Sequence, residues 1–492
     1  MKKTGIPSFR RIMTAATLFL LVPCLLRAQS SSTSPGIEEF KKRLEELERT
    51  THEQIEALRQ LIKEQEETIS RMHERKAQTS AEVQAPQSRT PSAVPYERET
   101  SAAALDETFS RAQDSAPRIN NTPLDPSLQG FFQIPGTPAR LKFDGYAKLD
   151  LNFDPRPAGN IDKFINTTIP VNVAPNAQFA NVNIHARQTR FSLDFRSPTE
   201  FGEDLRVYFE GDFYGPNGGT DPRLRHYYGQ LKNFLLGQTW TAFADPDAIP
   251  DTLDFEGPAG IVLTRQVQVR YTQPLTQSQS LTFSVERPSV QTRTLFAEGH
   301  PITPYPDAVV RWRQEKRMGH IQVGTLYRGI GYSDGTRERT IFGWGVNITG
   351  GIRVVGRDQF HFYGSYGEGM ARYVENLNGL GLDLDLNNQS TDLKALPVIA
   401  SYGAYKHYWA QRVRSTVTFG YDRVQNTVPQ PGKAFSKSYY MSGNLLFNPF
   451  GSLDMGVEFL HGWQVLKDDS KGNANRIQLS FKYDLYRKEE QP

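Results

Sequence analysis

The chain has 492 residues, of which 38% are hydrophobic and 23% charged, and its formal net charge is +3. Five lysines and arginines but no acid lie in the first 28 residues, so the remainder carries −2 and gives no support for nucleic-acid binding. After residue 28 no apolar run approaches the roughly 20 residues of a membrane helix, which excludes a helical membrane protein.

The N-terminus has the pattern of a secretory signal peptide. Four basic residues precede an apolar run over residues 13–26, and Leu-Arg-Ala at 26–28 offers a cleavage site. A lipoprotein signal would also contain a cysteine here, yet Pro23 before Cys24 fits that pattern poorly. We predict a signal peptide over residues 1–28 and a mature chain without disulfides.

Residues 37–75 have apolar or core-type side chains at alternating steps of three and four, which is the spacing of a coiled-coil seam. A stutter falls near Thr51, and polar Thr51 and Gln65 inside the seam would fix its register. A single solvated helix is the alternative, because charged residues fill most other positions. We predict a periplasmic α-helical coiled coil, with the number of its helices left open.

Residues 76–139 are rich in Ser, Thr, Ala, Pro and Gln and have no lasting period, which predicts a flexible linker. From residue 140 to residue 492 the pattern changes. Aromatic-rich alternating segments follow one another there, separated by Gly, Asn, Asp and Pro. This third region is the predicted membrane domain.

Residues 141–154, LKFDGYAKLDLNFD, alternate without exception between apolar or small side chains and polar ones. Successive side chains of a strand point to opposite faces, so this segment has one apolar wall and one charged wall. It also covers the roughly 9–11 residues that a transmembrane strand needs. A soluble sandwich would bury these charges at several kcal/mol each unless they were paired, whereas a wet lumen would not.

Similar segments recur, and lipid cannot satisfy an open backbone, so we predict an all-β, closed antiparallel transmembrane barrel. Sixteen strands fit a water-filled porin, with fourteen or eighteen left open. Short connections such as Lys232-Asn233 are expected at the periplasmic end and long ones, such as residues 376–392, outside the cell. The predicted strands start near Leu141, Arg187, Asp204, Arg223, Phe234, Arg265, Ser278, Asp307, Gly319, Thr340, Asp358, Ala395, Arg412, Lys437, Ser452 and Arg476.

Arginines recur at or near the lumen face of these strands, and pairs two residues apart point to the same side. Such ladders lower the energy of a passing anion, and a guanidinium binds carboxylate or phosphate with two hydrogen bonds. The alternative is that each arginine pairs with an acid such as Asp194, Glu210, Asp212 or Glu286 and braces the wall. The candidate selectivity residues are Arg190, Arg206, Arg223, Arg225, Arg265, Arg270, Arg311 and Arg313.

Residues 241–260, TAFADPDAIPDTLDFEGPAG, interrupt two strand-like segments. Twenty residues without periodicity are unusual unless they are functional, and three prolines with five acids make a strand improbable. We predict a loop that folds inward and narrows the pore, with an ordinary external loop as the alternative. Its acids would then face the arginines across a constriction: Asp245, Asp247, Asp251, Asp254 and Glu256.

Residues 237–260 resemble the constriction segment of the DcaP-like trimeric outer-membrane porins, and Trp240 and Phe243 belong to that match. RLRHYYG at 223–229 and the tail over residues 456–485 also resemble that family, as does the order of signal, coiled coil, linker and barrel. The resemblance implies a homotrimer of sixteen-stranded barrels that passes small anions, dicarboxylates above all.

Two features depart from the family. The last strand is followed by Tyr486 and the polar tail RKEEQP, where such barrels commonly end on an aromatic residue, and only part of the eyelet's residue identities carry over. The expected partners are outer-membrane lipid and lipopolysaccharide, and peptidoglycan or a periplasmic partner at the coiled coil. A phosphate-type anion porin and a structural, envelope-tethering barrel with little conductance are the alternatives.

No enzymatic, metal or cofactor chemistry is predicted. The sequence has no P-loop and no HExxH. A GxSxG stretch centred on Ser333 is followed by a charged stretch and another strand rather than a helix, so a hairpin turn is favoured over a nucleophile elbow. Residues 383–394 imitate a calcium loop but have Asn388 where Gly is needed and Lys394 where Glu is needed.

Overall fold

The computed structural model describes residues 49, 130–174, 179–200, 202–215, 219–293, 295–296, 298–387 and 391–485. The predicted signal peptide, the tail after residue 485 and, except for helical Arg49, the predicted coiled coil lie outside these residues. The chain forms two compact units, residues 1–99 and 100–492, and the fold below belongs to the second. No helix in the described ranges is long and apolar enough to cross a membrane.

Sixteen strands form a wall in the described part of the second unit. They are β1 (Arg140–Asp154), β2 (Asn181–His185 and Arg190–Pro198), β3 (Asp204–Asp212), β4 (Arg223–Leu231), β5 (Phe234–Trp240), β6 (Arg265–Pro274), β7 (Gln279–Glu286), β8 (Asp307–Lys316), β9 (Gly319–Ser333), β10 (Glu338–Arg353), β11 (Gln359–Glu368), β12 (Pro397–Ala410), β13 (Val413–Val424), β14 (Phe435–Phe450), β15 (Leu453–Leu466) and β16 (Lys471–Asp484).

The wall closes on itself. Each strand pairs antiparallel with its neighbour in sequence, and β16 returns to β1 with a register from Tyr146↔Asp484 to Phe153↔Ile477. The prediction of a closed barrel of sixteen antiparallel strands is confirmed, and the predicted starts lie close to the strand starts. The second and the last are the poorest, because β2 begins at Asn181 rather than near Arg187 and β16 begins at Lys471 rather than near Arg476.

Four short strands and four 3-10 turns supplement the barrel in the described residues. Phe132–Gln133, within the last residues of the predicted linker, pairs with the start of β1, and His300–Ile302 pairs with β9. Leu384–Leu386 and Leu393–Ala395 pair only with each other. The 3-10 turns are Asn166–Thr168, Pro246–Ala248, Ala371–Tyr373 and Glu375–Leu377.

Alternation along β1 separates two environments as its sequence predicts. Phe143 and Leu149 point outward and are 45% and 46% exposed, whereas Lys148 and Asp150 point inward and are almost fully buried. Apolar side chains therefore cover the outside, where lipid lies, and charges line the interior. The interior charges are nevertheless buried, because side chains and loops fill much of the barrel.

The two ends of the barrel differ in the length of their connections. The connections after β2, β4, β6, β8, β10, β12 and β14 are short, whereas residues 155–180, 241–264, 287–306 and 369–396 form long loops at the opposite end. Short turns face the periplasm in outer-membrane barrels, so the long loops belong to the external end.

Long loops fold into the barrel rather than away from it. Phe243 and Val262 from residues 241–264 share a buried apolar cluster with Tyr373, Val374 and Leu377. Val262 and Val374 also form an isolated β-bridge, so the two loops support each other. The prediction that residues 376–392 form an external loop is wrong for their first residues, because Asn376 and Leu377 are buried inside.

The loop over residues 241–264 passes so close to the far wall that two glycines are required. Gly260 has φ +87, and a Cβ there would lie 2.5 Å from the backbone of Ser401 on β12. A Cβ at Gly420 on β13 would collide with the carbonyl oxygen of Ala259. The contact is therefore between two backbones without an intervening side chain.

The substitution Gly420→Val tests this contact. The added side chain occupies the space of Ala259 and overpacks the contact between the loop and β13. We therefore expect a loss of about 1–3 kcal/mol in unfolding free energy. We also expect a smaller single-channel conductance, because the displaced loop moves into the lumen. Gly443→Val on β14 is the matched control, since nothing lies within 4 Å of its Cβ position. Equal effects of both variants would contradict the close backbone contact between the loop and β13.

Candidate functional site

The segment over residues 241–260 is pinned to the wall as soon as it leaves β5. The Thr241 hydroxyl and the Ala242 amide donate to the Glu286 carboxylate, at 2.7 and 2.8 Å. The Phe243 ring is fully buried, and its carbonyl oxygen accepts hydrogen bonds from Asn347 and Tyr363. The start of the loop is thus bound to β7, β10 and β11.

The first acids of the loop bind one of the predicted arginines. Asp245 lies 3.0 Å from Arg313 and 2.9 Å from His320, and Asp247 lies 2.5 Å from Arg313. Burial opposes the charge of Asp245, but His320 and Arg313 outweigh it and hold the pKa of this carboxyl well below its usual range. Asp245 is therefore an ionised anchor of the loop.

The third acid binds cations on the opposite wall. Asp251 lies 2.6 Å from Arg414 on β13 and 3.5 Å from Lys406 on β12. Although burial disfavours its charge, these two cations hold the pKa of Asp251 below its ordinary value. Arg414 also reaches Asp454 at 3.2 Å, so a four-residue ionic network fastens the loop to three strands.

The tip of the loop is held through its backbone. The buried Glu458 carboxylate on β15 accepts hydrogen bonds from the amides of Leu253 and Asp254, at 2.7 and 2.9 Å. Lys148 on β1 and Gln478 on β16 both donate to the Leu253 carbonyl oxygen. The loop therefore follows the interior surface from β7 round to β1, and it lines that part of the lumen.

The last two acids of the loop have raised pKa values, in contrast to Asp245 and Asp251. Asp254 accepts a hydrogen bond from the amide of Phe164, and burial raises its pKa. Glu256 lies 3.1 Å from Lys163, but burial still raises its pKa above the ordinary value. Only Asp245 and Asp247 meet a predicted arginine directly; the five acids mainly fasten the loop.

Four cations surround two stacked aromatic rings between this loop and β4. The rings of Phe255 and Tyr214 lie 4.5 Å apart. Lys163 lies within 5.4 Å of both ring centroids, and Arg187 lies 4.8 Å from that of Tyr214. We call the group the cation–aromatic cluster; its further members are Arg223 and Arg225, each within 5.7 Å of Phe255.

The cations of this cluster are more accessible than most of their acidic partners. Arg223 binds Asp212 at 2.6 Å, but its side chain is 24% exposed and that of Asp212 is 0% exposed. Lys163 is 18% exposed, against 7% for Glu256. Arg187 and Asp162 are exposed to a similar degree, and Arg225 is buried. At Arg223 and Lys163 the carboxylate thus lies behind the cation, which presents the charge nearest the open space.

The predicted arginines fall into three groups. Arg190 and Arg225 share the buried Glu210, and Arg206 binds Asp194 nearer the short-turn end. Arg265 lies with its guanidinium 4.9 Å from the Trp240 ring, which also contacts Arg225 and His226. On the neighbouring wall stand Arg270, Arg311 and Arg313.

Arg265 and Arg270 differ from the arginines that brace the wall. Arg270 is almost fully buried, and it donates to the Gln268 side chain at 2.9 Å and to the Trp240 carbonyl at 2.5 Å. Among the described residues, neither arginine has a carboxylate within ion-pair distance. Arg311 donates to the Thr282 hydroxyl at 3.0 Å. Arg313 on the same wall is by contrast bound to Asp245, Asp247 and Glu315.

Sequence reasoning did not identify several members of the site. Lys163 and Tyr214 lie in loops without periodicity, and Lys406 and Arg414 anchor the loop from strands that carried no candidate. The alternation of the strands could have identified Lys406 and Arg414, because both occupy inward positions. No local pattern could place Lys163 beside Phe255, since the two meet only through tertiary folding.

Other chemistry finds no support in the described residues. No group of three or more His, Cys, Asp or Glu is placed to hold a metal ion there. Ser333 ends β9, and a turn over residues 334–337 leads directly into β10. A nucleophile elbow needs a helix after its serine, and this one is followed by a strand.

Comparison with known proteins agrees with this architecture. The family model described as DcaP outer membrane protein matches residues 133–485. The crystal structure of the outer membrane channel DcaP of Acinetobacter baumannii superposes with a TM-score of 0.63 at 21% identity, covering 72% of this chain and 99% of that one. No curated protein matches the chain.

More distant barrels also align over most of their length. OmpT of Vibrio cholerae gives a TM-score of 0.43 at 12% identity, covering 71% of this chain and 99% of its own. Salmonella typhi OmpF gives 0.46 at 7% identity, covering 72% and 100%. The family match extends from the first short strand to the end of the described barrel, and the chain belongs to the DcaP outer membrane protein family.

Proposed function

We propose that the protein is a homotrimeric outer-membrane porin through which small anionic solutes diffuse passively. The observation that carries this proposal is the unequal exposure of the ion pairs in the cation–aromatic cluster. Arg223 and Lys163 remain partly open while Asp212 and Glu256 are buried behind them. A solute in the lumen therefore meets guanidinium and ammonium groups first, and these favour anions.

A buried carboxylate behind an exposed cation serves two purposes. It stabilises the cation in a narrow lumen, where an unpaired charge would be costly. It also leaves guanidinium donors free to bind a passing anion, because one arginine offers five N–H groups. Arg223 uses its Nε and Nη2 groups on Asp212. Arg265, without an acid at ion-pair distance in the described chain, adds positive charge on the same side.

Dicarboxylates are the solutes that we favour within this class. Two separate cationic groups lie inside the barrel, the cation–aromatic cluster beside β4 and the pair Arg270 and Arg311 on β6 and β8. A solute with two carboxylates can exchange one contact at a time between such groups. This argument supports dicarboxylates over phosphate, whose charge is concentrated on one centre. Relative permeation rates of dicarboxylates, monocarboxylates and phosphate measure the difference.

Ion selectivity tests the proposed function directly. In planar bilayers under a salt gradient we expect a reversal potential that indicates anion preference, and a shift towards zero in Arg223→Gln/Arg265→Gln because two lumen charges are lost. Arg339→Gln is the matched control, since Arg339 pairs with Asp334 on the external β9–β10 hairpin. Cation preference of the parent protein would refute the proposal, and absence of conductance would favour a structural barrel.

The uneven height of the wall supports the homotrimer. Strands β3 to β8 contain 7–10 residues, whereas β9, β10, β12 to β16 and β1 contain 12–16. At about 3.3 Å per residue and a tilt of about 40°, seven residues span roughly 18 Å along the membrane normal and fifteen span roughly 38 Å. The apolar band of such barrels is about 25 Å tall.

A second copy of the chain is the partner that fits the low wall. The outer face of β3 to β7 is apolar and exposed at Phe209, Leu236 and Val269, yet these strands are the shortest in the barrel. Lipid against a wall of this height would have to thin locally. Contact with the same wall of two further subunits removes the mismatch, and closed cyclic symmetry is the usual solution for identical chains.

Gly229→Trp tests this arrangement. Gly229 lies on β4 in the low wall, and its Cβ position is open within one chain. A tryptophan there would wedge a subunit interface apart, so we expect monomers by native mass spectrometry in mild detergent. Gly443→Trp, on β14 in the tall wall, has equal open space and should stay trimeric, because lipid accommodates the ring. A trimeric Gly229→Trp protein would contradict the proposed interface.

A further inference from the structure

The short-turn end of the barrel carries its charge unevenly. Five basic residues lie at the ends of β8 and β10 and in the turns that follow β8, β10 and β12, and we call them the basic rim: Lys316, Arg317, Arg353, Arg357 and Arg412. The turns that follow β2, β4 and β6 hold Glu200, Glu203 and Lys232, and residues 275–278 are uncharged. Positive charge therefore accumulates on the tall-wall side of this end.

The basic rim is one continuous structure. The Arg353 amide donates to the Met318 carbonyl oxygen at 2.7 Å, which joins the first turn to the second. The Arg357 guanidinium lies 4.4 Å from the ring of Tyr408 at the end of β12. Arg412 donates to the Pro449 carbonyl oxygen at 2.7 Å and joins the third turn to the end of β14. Three neighbouring turns, with the strand ends before them, thus present their cations along one edge.

A single carboxylate organises the middle of this edge. Asp358 accepts hydrogen bonds from the Tyr405 hydroxyl at 2.8 Å and the Tyr408 amide at 3.0 Å, and it lies 2.7 Å from His407 Nδ1. The other acid at the rim, Glu315, binds Arg313 inside the barrel. Both carboxylates are therefore engaged by the protein itself, and they oppose five cations.

Large apolar side chains alternate with the cations. Val355 is 71% exposed, Trp409 is 66% exposed and Met318 is 64% exposed, and Phe450 beside Arg412 is also open. Trp409 stacks edge-on against His407 and donates its indole N–H to Ser415, so it is held in place. Aromatic rings at this level mark the boundary between hydrocarbon and headgroups in membrane barrels.

We propose that the basic rim binds the headgroups of anionic phospholipids in the periplasmic leaflet of the membrane. Guanidinium groups bind phosphate with paired hydrogen bonds, and Met318, Val355 and Trp409 contact the adjoining acyl chains. Basic clusters immediately outside the hydrocarbon region are the usual sites for acidic lipids. A soluble partner would leave the apolar side chains without a matching environment, whereas the lipid boundary satisfies both components.

The charges on the low-wall side of the short-turn end are consistent with the proposed lipid site. The low wall carries exposed Glu200 and Glu203, which would repel anionic headgroups, and it is the wall that we assign to subunit contacts. The tall wall, which is high enough to cross the membrane, carries the cations. The lipid site requires only that the tall wall face lipid, so it stands whether or not the pore prefers anions.

Native mass spectrometry of the purified full-length protein tests the site, with phosphatidylglycerol and phosphatidylcholine of identical acyl chains as probes. We expect the protein to retain phosphatidylglycerol preferentially. In Arg317→Gln/Arg412→Gln this preference should fall about 25-fold, at about fivefold for each charge removed near the surface. The reversal potential should stay unchanged, because neither residue lies in the lumen.

The matched control is Arg140→Gln/Lys232→Gln. It also removes two exposed cations at the short-turn end, but from β1 and the β4–β5 turn, outside the rim. Its lipid preference should stay within twofold of the parent. The proposal is overturned if the parent does not distinguish the two lipids, if both double variants lose the preference equally, or if the rim retains peptidoglycan fragments instead of phosphatidylglycerol.

Discussion

A backbone amide in hydrocarbon has no water to bind, and every other feature of this protein follows from that constraint. The sheet must close, and it does so through the pairing of β16 with β1. Closure fixes an inside and an outside, and strict alternation then assigns apolar side chains to lipid and charged ones to the interior. Counter-charges, such as Glu210 for Arg225, and fixed backbone groups, such as the Leu253 carbonyl oxygen for Lys148, stabilise charges in the interior.

Carboxylates and cations have different roles inside the barrel. Asp245, Asp251 and Glu458 face protein groups and hold the loop over residues 241–264 against the wall. Arg223 and Lys163 retain open surface beside Phe255. A loop rich in acid therefore lines a lumen whose accessible charge is positive, because the acids are used in binding the loop. This division makes the channel's preference depend on exposure rather than on the count of charges.

The wall itself is not uniform round its circumference. Short strands with acidic turns form one side, and long strands with basic, aromatic-rich turns form the other. In the proposed trimer, subunit contacts and lipid contacts place opposite demands on height and charge, and a single sheet meets both by varying strand length and turn composition. The proposed subunit interface and the proposed lipid site thus occupy different parts of one closed sheet.

The sequence by itself determined the class of the protein. Period-two alternation is a local property, so it located sixteen strands, assigned the two faces of β1 and left residues 241–260 as a loop. It also placed Arg223 and Arg311 on the inner face. The resemblance near Trp240 pointed to the family that the comparison of residues 133–485 confirmed.

Only the tertiary structure decided which charges meet. Asp251 and Arg414 are 163 residues apart in sequence, and no local pattern relates them. The burial of Leu377 depends on an apolar cluster to which another loop contributes, whereas Asn376 is buried through hydrogen bonds to Asp422 and Ser438. The approach of Lys163 to Phe255 likewise joins two separate loops. Alternation fixes the direction of a side chain, whereas its partner depends on how loops cross the lumen, and that crossing is a property of the closed barrel as a whole.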